Sequence, residues 1–203
     1  VMAGEAKNAF CAVRPPGHHA VPDRAMGFCL FNNVAVGAEH ARAVHRLKRV
    51  AVVDFDVHHG NGTQDMFYAK PDLFFASTHQ SPLYPGTGDP NERGQYDNVV
   101  NAPLAAMAGS PEFRHAVGKY ILPAIERFEP DLIMISAGFD GHSRDPLAAL
   151  HLMDDDFTWV TRKLGELARR CCRGRIVSTL EGGYNFGALA SACAAHVREL
   201  MAG

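Results

Sequence analysis

The sequence predicts an α/β fold of three layers (αβα), in which a mostly parallel β-sheet lies between two layers of helices. Apolar runs without polar alternation recur along the chain, as at 50–53 and 132–135, and are typical of strands buried on both faces. Between such runs lie segments whose apolar residues repeat at three- and four-residue steps, which predicts amphipathic helices. Strands that alternate with helices in this way form parallel sheets.

Length and composition narrow the function classes. A chain of 203 residues, 47% of them hydrophobic, predicts one domain spanning residues 1–203 with a substantial core. The formal charge of -2 argues against direct nucleic-acid binding. No apolar run reaches membrane-spanning length and no secretory signal is evident, so we expect no membrane contact and a cytoplasmic location. Five cysteines without framework spacing predict free, structural thiols. A homo-oligomer is compatible with the sequence, which carries no specific signal for one.

The stretch 50–60 departs from the pattern of a buried strand at its carboxyl end. It begins with four apolar residues, but Asp54, Asp56 and His58 follow where charge is normally excluded. In open α/β sheets this edge is where ligands bind. Alternate side chains of an extended chain point the same way, so Asp56 and His58 are placed to bind one metal ion together. The alternative interpretation is a polar turn whose side chains cap the next helix.

A second unusual segment follows a short buried strand predicted at 10–13. It contains two prolines and a glycine, which fix the backbone and exclude a helix, so His18 and His19 lie on a stiff loop at a strand end. Farther along, Phe28 and Phe31 are interpreted as core residues. The alternative is that one of them lines the mouth of a pocket.

The other predicted elements continue the alternation of helices and strands. In order, they are a helix at 34–47, the strand beginning at Val50, a short helix at 61–68, a strand at 73–79, an irregular segment at 80–107, a helix at 113–128, a strand at 131–137, a helix at 155–171, a strand at 175–180 and a helix at 186–201. An irregular segment as long as 80–107 is usually functional in a compact domain.

Titratable side chains stand just beyond several predicted strand ends, which share one edge in a parallel sheet. They are His18, His19, Asp54, Asp56, His58, Asp140 and Tyr184. Asp56, His58 and Asp140 form a three-ligand set that leaves a position open for water, as catalytic zinc sites require. The histidine pair supplies a general base and acid, and Asp54 is available to orient an imidazole. The Tyr184 hydroxyl can donate a hydrogen bond to a developing oxyanion. Together they predict metal-assisted amide hydrolysis.

Five short motifs occur in order along nearly the whole chain. They are Arg-Pro-Pro-Gly-His-His-Ala at 14–20, Asp-Phe-Asp-Val-His-His-Gly at 54–60, Pro-Gly-Thr-Gly-Asp at 85–89, Ser-Ala-Gly-Phe-Asp at 136–140 and Glu-Gly-Gly-Tyr at 181–184. Together they resemble the histone deacetylase and acetylpolyamine amidohydrolase family, in particular its class II-like bacterial deacetylases, which have an arginase-like fold. The resemblance implies a zinc-dependent hydrolase of the amide in acetyl-lysine or a related acylated amine such as an acetylpolyamine.

The resemblance also implies a role for each matching position. One catalytic Zn²⁺ would be held by Asp56, His58 and Asp140. The implied catalytic residues are His18, His19 and Tyr184, with Asp54 behind His18 and Asn61 as the partner of the second histidine. The acyl-chain tunnel would be lined by Gly27, Phe28, Tyr84 and Leu147. A structural K⁺ would be surrounded, partly through backbone carbonyls, by Asp54, Asp56, His58, Ser77 and Thr78.

The chain departs from the family pattern at the partner of the second histidine, which is Asp in one branch and Asn61 here, as in class II. A neutral partner should raise the pKa of His19 less than a carboxylate would. Tyr184 stands where some members carry His, which argues for an active deacetylase. Family members usually have on the order of a hundred further residues before the first motif, so we expect this chain to be a fragment that lacks the N-terminal part.

Two other functions are compatible with the motifs. One is a non-catalytic module that binds acylated ligands in the same pocket. The other is an arginase-like ureohydrolase, which would need two metal ions about 3.5 to 4 Å apart and more bridging acids.

Overall fold

The computed structural model describes residues 1–203 and contains one sheet of six strands. The strands are β1 (Asn8–Cys11), β2 (Val50–Asp54), β3 (Leu73–Gln80), β4 (Val99–Leu104), β5 (Leu132–Ala137) and β6 (Ile176–Leu180). Their spatial order is β1-β6-β5-β2-β3-β4, and every neighbouring pair is parallel. The predicted parallel α/β sheet is therefore confirmed.

Helices cover both faces of this sheet. They are α1 (Asn33–Ala43), α2 (Asn61–Phe67), α3 (Ser110–Ala116), α4 (Leu122–Phe128), α5 (Asp154–Cys171) and α6 (Phe186–Ala202). A π-helical turn, Val117–Ile121, joins α3 to α4 and immediately precedes Pro123, which has no N–H to donate to a carbonyl of that turn. Asparagine side chains cap the N-termini of α1 and α6, where Asn32 and Asn185 accept hydrogen bonds from backbone N–H groups.

Strand alternation divides the core into two clusters. In β2, Ala51 and Val53 face a large cluster with α3 to α6, whereas Val50 and Val52 face a smaller one with α1 and α2. The same alternation holds in β3 and β5. All five residues of β2 are buried, because the strand lies inside the sheet with helices on both faces.

Several sequence-based element predictions were wrong. β4 lies inside the segment predicted as irregular, and β1 begins two residues before the predicted strand and is only half-buried because it lies at the sheet edge. Phe28 and Phe31 are not core residues, since their side chains are 72% and 75% exposed. The five cysteines are free, and two of them, Cys29 and Cys172, are buried. None of the helices has the length and apolar character needed to cross a lipid bilayer.

The buried Asn98 side chain closes the connection between α2 and β3. Its amide nitrogen lies 2.9, 3.0 and 2.8 Å from the backbone carbonyl oxygens of Phe67, Lys70 and Leu73. The Phe67 and Lys70 carbonyls also accept hydrogen bonds from the backbone N–H groups of Lys70 and Leu73. Without the amide they would be buried acceptors with fewer donors, which is costly.

Candidate active site

Four neighbouring strands deliver side chains to one point at the carboxyl edge of the sheet. β1, β6, β5 and β2 are adjacent in space. The segments that follow them carry, respectively, the pair His18 and His19, Tyr184, Asp140, and the pair Asp56 and His58. The convergence predicted from the strand ends is therefore present in the fold.

Asp56, His58 and Asp140 form a compact group in which one potential ligand atom from each residue lies within 4.8 Å of the others. The Nδ1 atom of His58 is 3.1 Å from Oδ1 of Asp56 and 3.0 Å from Oδ2 of Asp140. Zinc–ligand distances of about 2.0 to 2.2 Å place neighbouring ligand atoms of a tetrahedral site roughly 3.3 to 3.6 Å apart. The two separations are close to that spacing, so the group fits a single metal ion.

Backbone amides hold the carboxylates of this group in place. The N–H of Gly182 donates to Oδ2 of Asp56 at 2.8 Å, and the N–H of Val57 donates to Oδ1 of Asp140 at 3.0 Å. The other oxygen of each carboxylate faces His58. A Cβ atom at Gly182 would overlap both carboxylates, so only glycine allows this close approach.

The charges of the group favour a bound cation. Burial opposes protonation of His58, but hydrogen bonds to Asp140 and Asp56 raise its pKa to about 10. Burial and the neighbouring charge of Asp56 raise the pKa of Asp140 to about 6. A single positive charge on His58 would offset only one of the two carboxylates when both are ionised, whereas a divalent ion would offset both.

His18 is held in its charged form. Its Nδ1 atom lies 2.8 Å from Oδ2 of Asp54, and its Nε2 atom lies 3.7 Å from Oδ1 of Asp56. Burial opposes the charge, yet these carboxylates raise the pKa of His18 well above its usual value. Both His18 and Asp54 are buried, so neither is in contact with solvent.

His19 has the opposite character. Its Nδ1–H donates to Oδ1 of Asn61 at 2.8 Å, which leaves Nε2 with a free lone pair. Burial, reinforced by the nearby charge of His18, lowers the pKa of His19 to about 3. The two adjacent histidines therefore differ in charge at neutral pH, and His19 is the one with an unprotonated ring nitrogen.

A pocket of about 560 Å³ opens beside the metal-binding group. It is lined by His19, Gly27, Phe28, His58, Leu83, Tyr84, Leu147 and Tyr184. The structure thus brings together all four positions predicted for the tunnel. Tyr84 packs edge to face against His19, with ring centroids 5.1 Å apart, and Phe28 meets Tyr184 at 6.1 Å. Aromatic and apolar walls around one polar end suit an acyl chain with a reacting carbonyl.

Gly27 shapes the inner wall of this pocket. Its φ of +57° lies in the left-handed region that favours glycine, and a Cβ atom there would overlap the ring of His19. The same close contact fixes the position of the His19 ring.

The residues predicted to surround a potassium ion lie on β2, on β3 and just after β2. Asp54 and Ser77 are opposite each other in the register of β2 and β3, and both are fully buried. The Ser77 hydroxyl is hydrogen-bonded to Nδ1 of His79 at 3.0 Å. Thr78 follows in the same strand and is also buried.

The sequence analysis did not assign a role to three residues that contribute to the site. Leu83 lines the pocket, Glu181 holds the loop of the histidine pair, and Asp145 holds the loop of Tyr184. Glu181 carried a signal, because a carboxylate directly after a buried strand is the pattern that identified Asp54. Asp145 carried none, because it lies in an irregular segment and its contacts are distant in sequence.

Comparison with known proteins identifies the family of this fold and site. The profile described as "Histone deacetylase domain" matches residues 1–200. The chain belongs to the histone deacetylase domain family. Its tertiary structure agrees: the chain superposes on the HDA15 HD domain with a TM-score of 0.93 at 39% identity, covering 99% of this chain and 58% of that one. For acetylpolyamine aminohydrolase from Burkholderia pseudomallei the TM-score is 0.90 at 35% identity, with coverage of 99% and 58%.

Curated relatives of this chain come from plants, bacteria, archaea and other eukaryotes. The chain is 49% identical over 195 residues to "Histone deacetylase 10, chloroplastic" of Oryza sativa subsp. japonica, covering 95% of this chain and 44% of the relative. It is 47% identical over 190 residues to the "Histone deacetylase-like amidohydrolase" of Pseudomonas aeruginosa, covering 91% and 50%. The chain thus spans about half the length of these relatives.

Proposed function

We propose that this domain is a metal-dependent deacylase that uses one Zn²⁺ ion to hydrolyse the amide of acetyl-lysine or a related acylated amine such as an acetylpolyamine. The observation that carries the proposal is the meeting of Asp56, His58 and Asp140 with a neutral His19 at the end of an apolar pocket. When bound, such an ion polarises a carbonyl and lowers the pKa of water toward about 7.

In this proposal His19 performs the proton transfers. Its unprotonated Nε2 takes a proton from the water that attacks the acyl carbon, so that a new C–O bond forms. When the C–N bond breaks, the same nitrogen returns the proton to the leaving amine. The products are a carboxylic acid and a free amine, and the atoms and charges balance. Asn61 keeps the other ring nitrogen protonated, which maintains the required tautomer.

His18 contributes charge rather than proton transfer. Because Asp54 and Asp56 hold it as a cation, it lowers the pKa of the neighbouring His19 and keeps that ring neutral. The ring centroids of the two histidines are 4.0 Å apart, close enough for this effect to be strong.

Tyr184 is assigned the role of hydrogen-bond donor to the acyl oxygen of the substrate. Burial and the charges of Asp56 and Asp140 raise the pKa of its hydroxyl above the ordinary value, so the phenol stays protonated. A protonated hydroxyl facing the pocket donates a hydrogen bond as negative charge develops on that oxygen. Such a preorganised donor contributes about 100- to 1,000-fold to the rate in comparable oxyanion sites.

The pocket supports an acylated amine as the substrate. The walls formed by Phe28, Tyr84 and Leu147 are apolar or aromatic and are 72%, 47% and 45% exposed, so the outer end is open. A flexible acylated side chain can therefore enter from solvent. The names of relatives include both histone deacetylase and acetylpolyamine aminohydrolase, which fits acylated lysines and polyamines as the substrate class.

Two further assignments belong to the proposal. A structural K⁺ near Asp54, Asp56, His58, Ser77 and Thr78 is supported by the family resemblance and by the burial of most of these groups. A cytoplasmic location remains a prediction, and the two plant relatives whose names say chloroplastic make the plastid an alternative compartment for such domains.

The deciding experiment measures acid release from an acetyl-lysine peptide and from an acetylated polyamine by the zinc-loaded chain. We expect turnover that falls at least about 100-fold in Tyr184→Phe while zinc content is unchanged. Tyr120→Phe, at an exposed tyrosine on the turn between α3 and α4, is the matched control and should keep full activity.

The alternatives predict other results. Binding of acylated ligands without any turnover would identify a non-catalytic module. Two zinc ions per chain with urea release from a guanidino substrate would identify a ureohydrolase. The structure contains only one group of three metal-ligating side chains, which favours a single ion.

A further inference from the structure

One buried carboxylate lies outside the catalytic group but joins two walls of the pocket. Asp145 is only 7% exposed and lies in the irregular segment between β5 and α5. Its Oδ2 atom accepts hydrogen bonds from the backbone N–H groups of Tyr184 at 2.7 Å and Asn185 at 3.2 Å. Its Oδ1 atom accepts from the N–H of Leu147 at 3.0 Å. A single side chain thus fixes two segments that are far apart in sequence.

The Tyr184 side chain depends on this backbone support. Its hydroxyl makes no hydrogen bond to any other group of the chain, so no side-chain contact of that kind anchors the phenol. The loop 182–185 is held instead through its backbone, by the bonds of Gly182 to Asp56 and Phe139 and by the bonds of Tyr184 and Asn185 to Asp145. Removing the second anchor would leave Tyr184 free to shift relative to the first.

A purely local role for Asp145 does not account for these contacts. The helix α6 already has an N-terminal cap, because the Asn185 side chain accepts from the N–H of Ala188 at 2.9 Å. No Lys, Arg or His lies within ion-pair distance of Asp145, so the carboxylate is satisfied by amide donors alone. Hydrogen bonds to a charged acceptor are about twice as strong as neutral ones, which suits a rigid junction.

We propose that Asp145 is a positioning residue that fixes Tyr184, through its backbone N–H, at the distance from the metal-binding group that the reaction requires. The inference rests on the proposed deacylase function. A displacement of about 1 Å in a catalytic group can lower a rate about 100-fold. Because Leu147 shares the same carboxylate, the opposite pocket wall shifts as well, and substrate binding weakens to a smaller extent.

The test is a double-mutant cycle with Asp145→Ala and Tyr184→Phe in the zinc-loaded chain. We expect Asp145→Ala to lower kcat about 10- to 100-fold with a smaller change in KM and with zinc retained. In the Tyr184→Phe background the same substitution should lower kcat by less than about threefold, because there is no hydroxyl left to misplace. An equal loss in both backgrounds, or full kcat in folded Asp145→Ala, would overturn the proposal.

Asp145→Asn keeps the shape and one acceptor oxygen, so its kcat should lie between those of wild type and Asp145→Ala. If Asp145→Ala does not fold, the kcat of Asp145→Asn is measured in the wild-type and Tyr184→Phe backgrounds instead. Asp155→Asn removes a carboxylate from the exposed first turn of α5 and should match wild type.

A second readout does not depend on turnover. In protein labelled with 3-fluorotyrosine, the ¹⁹F resonance of Tyr184 is identified by its loss in Tyr184→Phe. We expect this resonance to shift or broaden in Asp145→Ala and to stay in place in Asp155→Asn. An unchanged Tyr184 resonance in Asp145→Ala would contradict the positioning role. A shifted resonance in a chain without deacylase activity would uphold the contact and reject only the proposed function.

Discussion

Glu181 Oε2 accepts a hydrogen bond from the backbone N–H of His18 at 3.1 Å, and it accepts a second from Gly17 at 2.6 Å. The other oxygen, Oε1, accepts from the Ser136 hydroxyl at 3.0 Å. Glu181 directly follows β6, so its side chain ties the loop of the histidine pair to the neighbouring strand. The positions of the His18 and His19 imidazoles are therefore fixed by a residue that does not line the pocket.

The first prediction concerns the ionisation of Glu181. Burial, only partly offset by the charge of His18, raises the pKa of this carboxyl to about 7. The folded protein thus binds a proton more tightly than the unfolded chain, and this contribution to stability is lost as the pH rises from about 4.5 to about 7. The loss is on the order of 3 kcal/mol. Glu181→Gln should remove it, because an amide oxygen can accept from both N–H groups while its NH₂ faces Ser136.

Urea unfolding at pH 5 and pH 8 measures this effect. Between these two values, the free energy of unfolding should fall less in Glu181→Gln than in wild type. Glu181→Ala, which removes the acceptors altogether, should be less stable than wild type at both values. If the free energy of unfolding of Glu181→Gln depends on pH as strongly as that of wild type, the pH dependence comes from another group.

The second prediction concerns the proton acceptor. Because the pKa of His19 is lowered to about 3, the ring is already neutral above about pH 4. His19→Gln should retain zinc yet lose at least about 100-fold in kcat, since an amide cannot carry the proton. In wild type, kcat/KM should show no acid limb near 6.5 from this residue.

Initial rates and metal content across pH 5 to 9 test the role of His19. His45→Gln, at an exposed histidine after α1, is the control and should leave both quantities unchanged. Turnover that survives in His19→Gln would exclude His19 as the base.

The third prediction concerns folding stability. Asn98→Ala removes the amide that bonds the carbonyls of Phe67, Lys70 and Leu73. The Phe67 and Lys70 carbonyls keep backbone donors, so the loss falls mainly on the Leu73 carbonyl, and the free energy of unfolding should fall by roughly 1 to 3 kcal/mol. Asn91→Ala, at an exposed asparagine, should change stability by less than about 0.5 kcal/mol. Equal urea midpoints for the two variants would show that the Asn98 side chain does not stabilise the connection between α2 and β3.

The sequence predicted most of the parallel sheet because its inner strands are unbroken apolar runs. It failed at the edges. β4 contains Asn101 and Pro103, which interrupt the pattern of a strand but are tolerated there because only one side of an edge strand is paired. β1 is half-buried at the opposite edge, and the strand predicted there began two residues later in the chain than β1 does.

The site was predictable where charge follows a buried strand. Asp54, Asp56 and His58 carried that signal, and the structure brings the latter two together with Asp140. The supporting contacts were not predictable, because they depend on tertiary proximity. Asp145 reaches Tyr184 across 39 positions, and no local pattern marks either end of that bond.

The central claim is that Asp56, His58 and Asp140 hold a single zinc ion. Zinc per chain, measured by elemental analysis after loading and exhaustive dialysis, tests it most directly. We predict one zinc ion per wild-type chain and close to none in Asp140→Ala, with Asp155→Asn behaving as wild type. No zinc retained by the wild-type chain, two ions per chain, or equal zinc in Asp140→Ala would contradict the account.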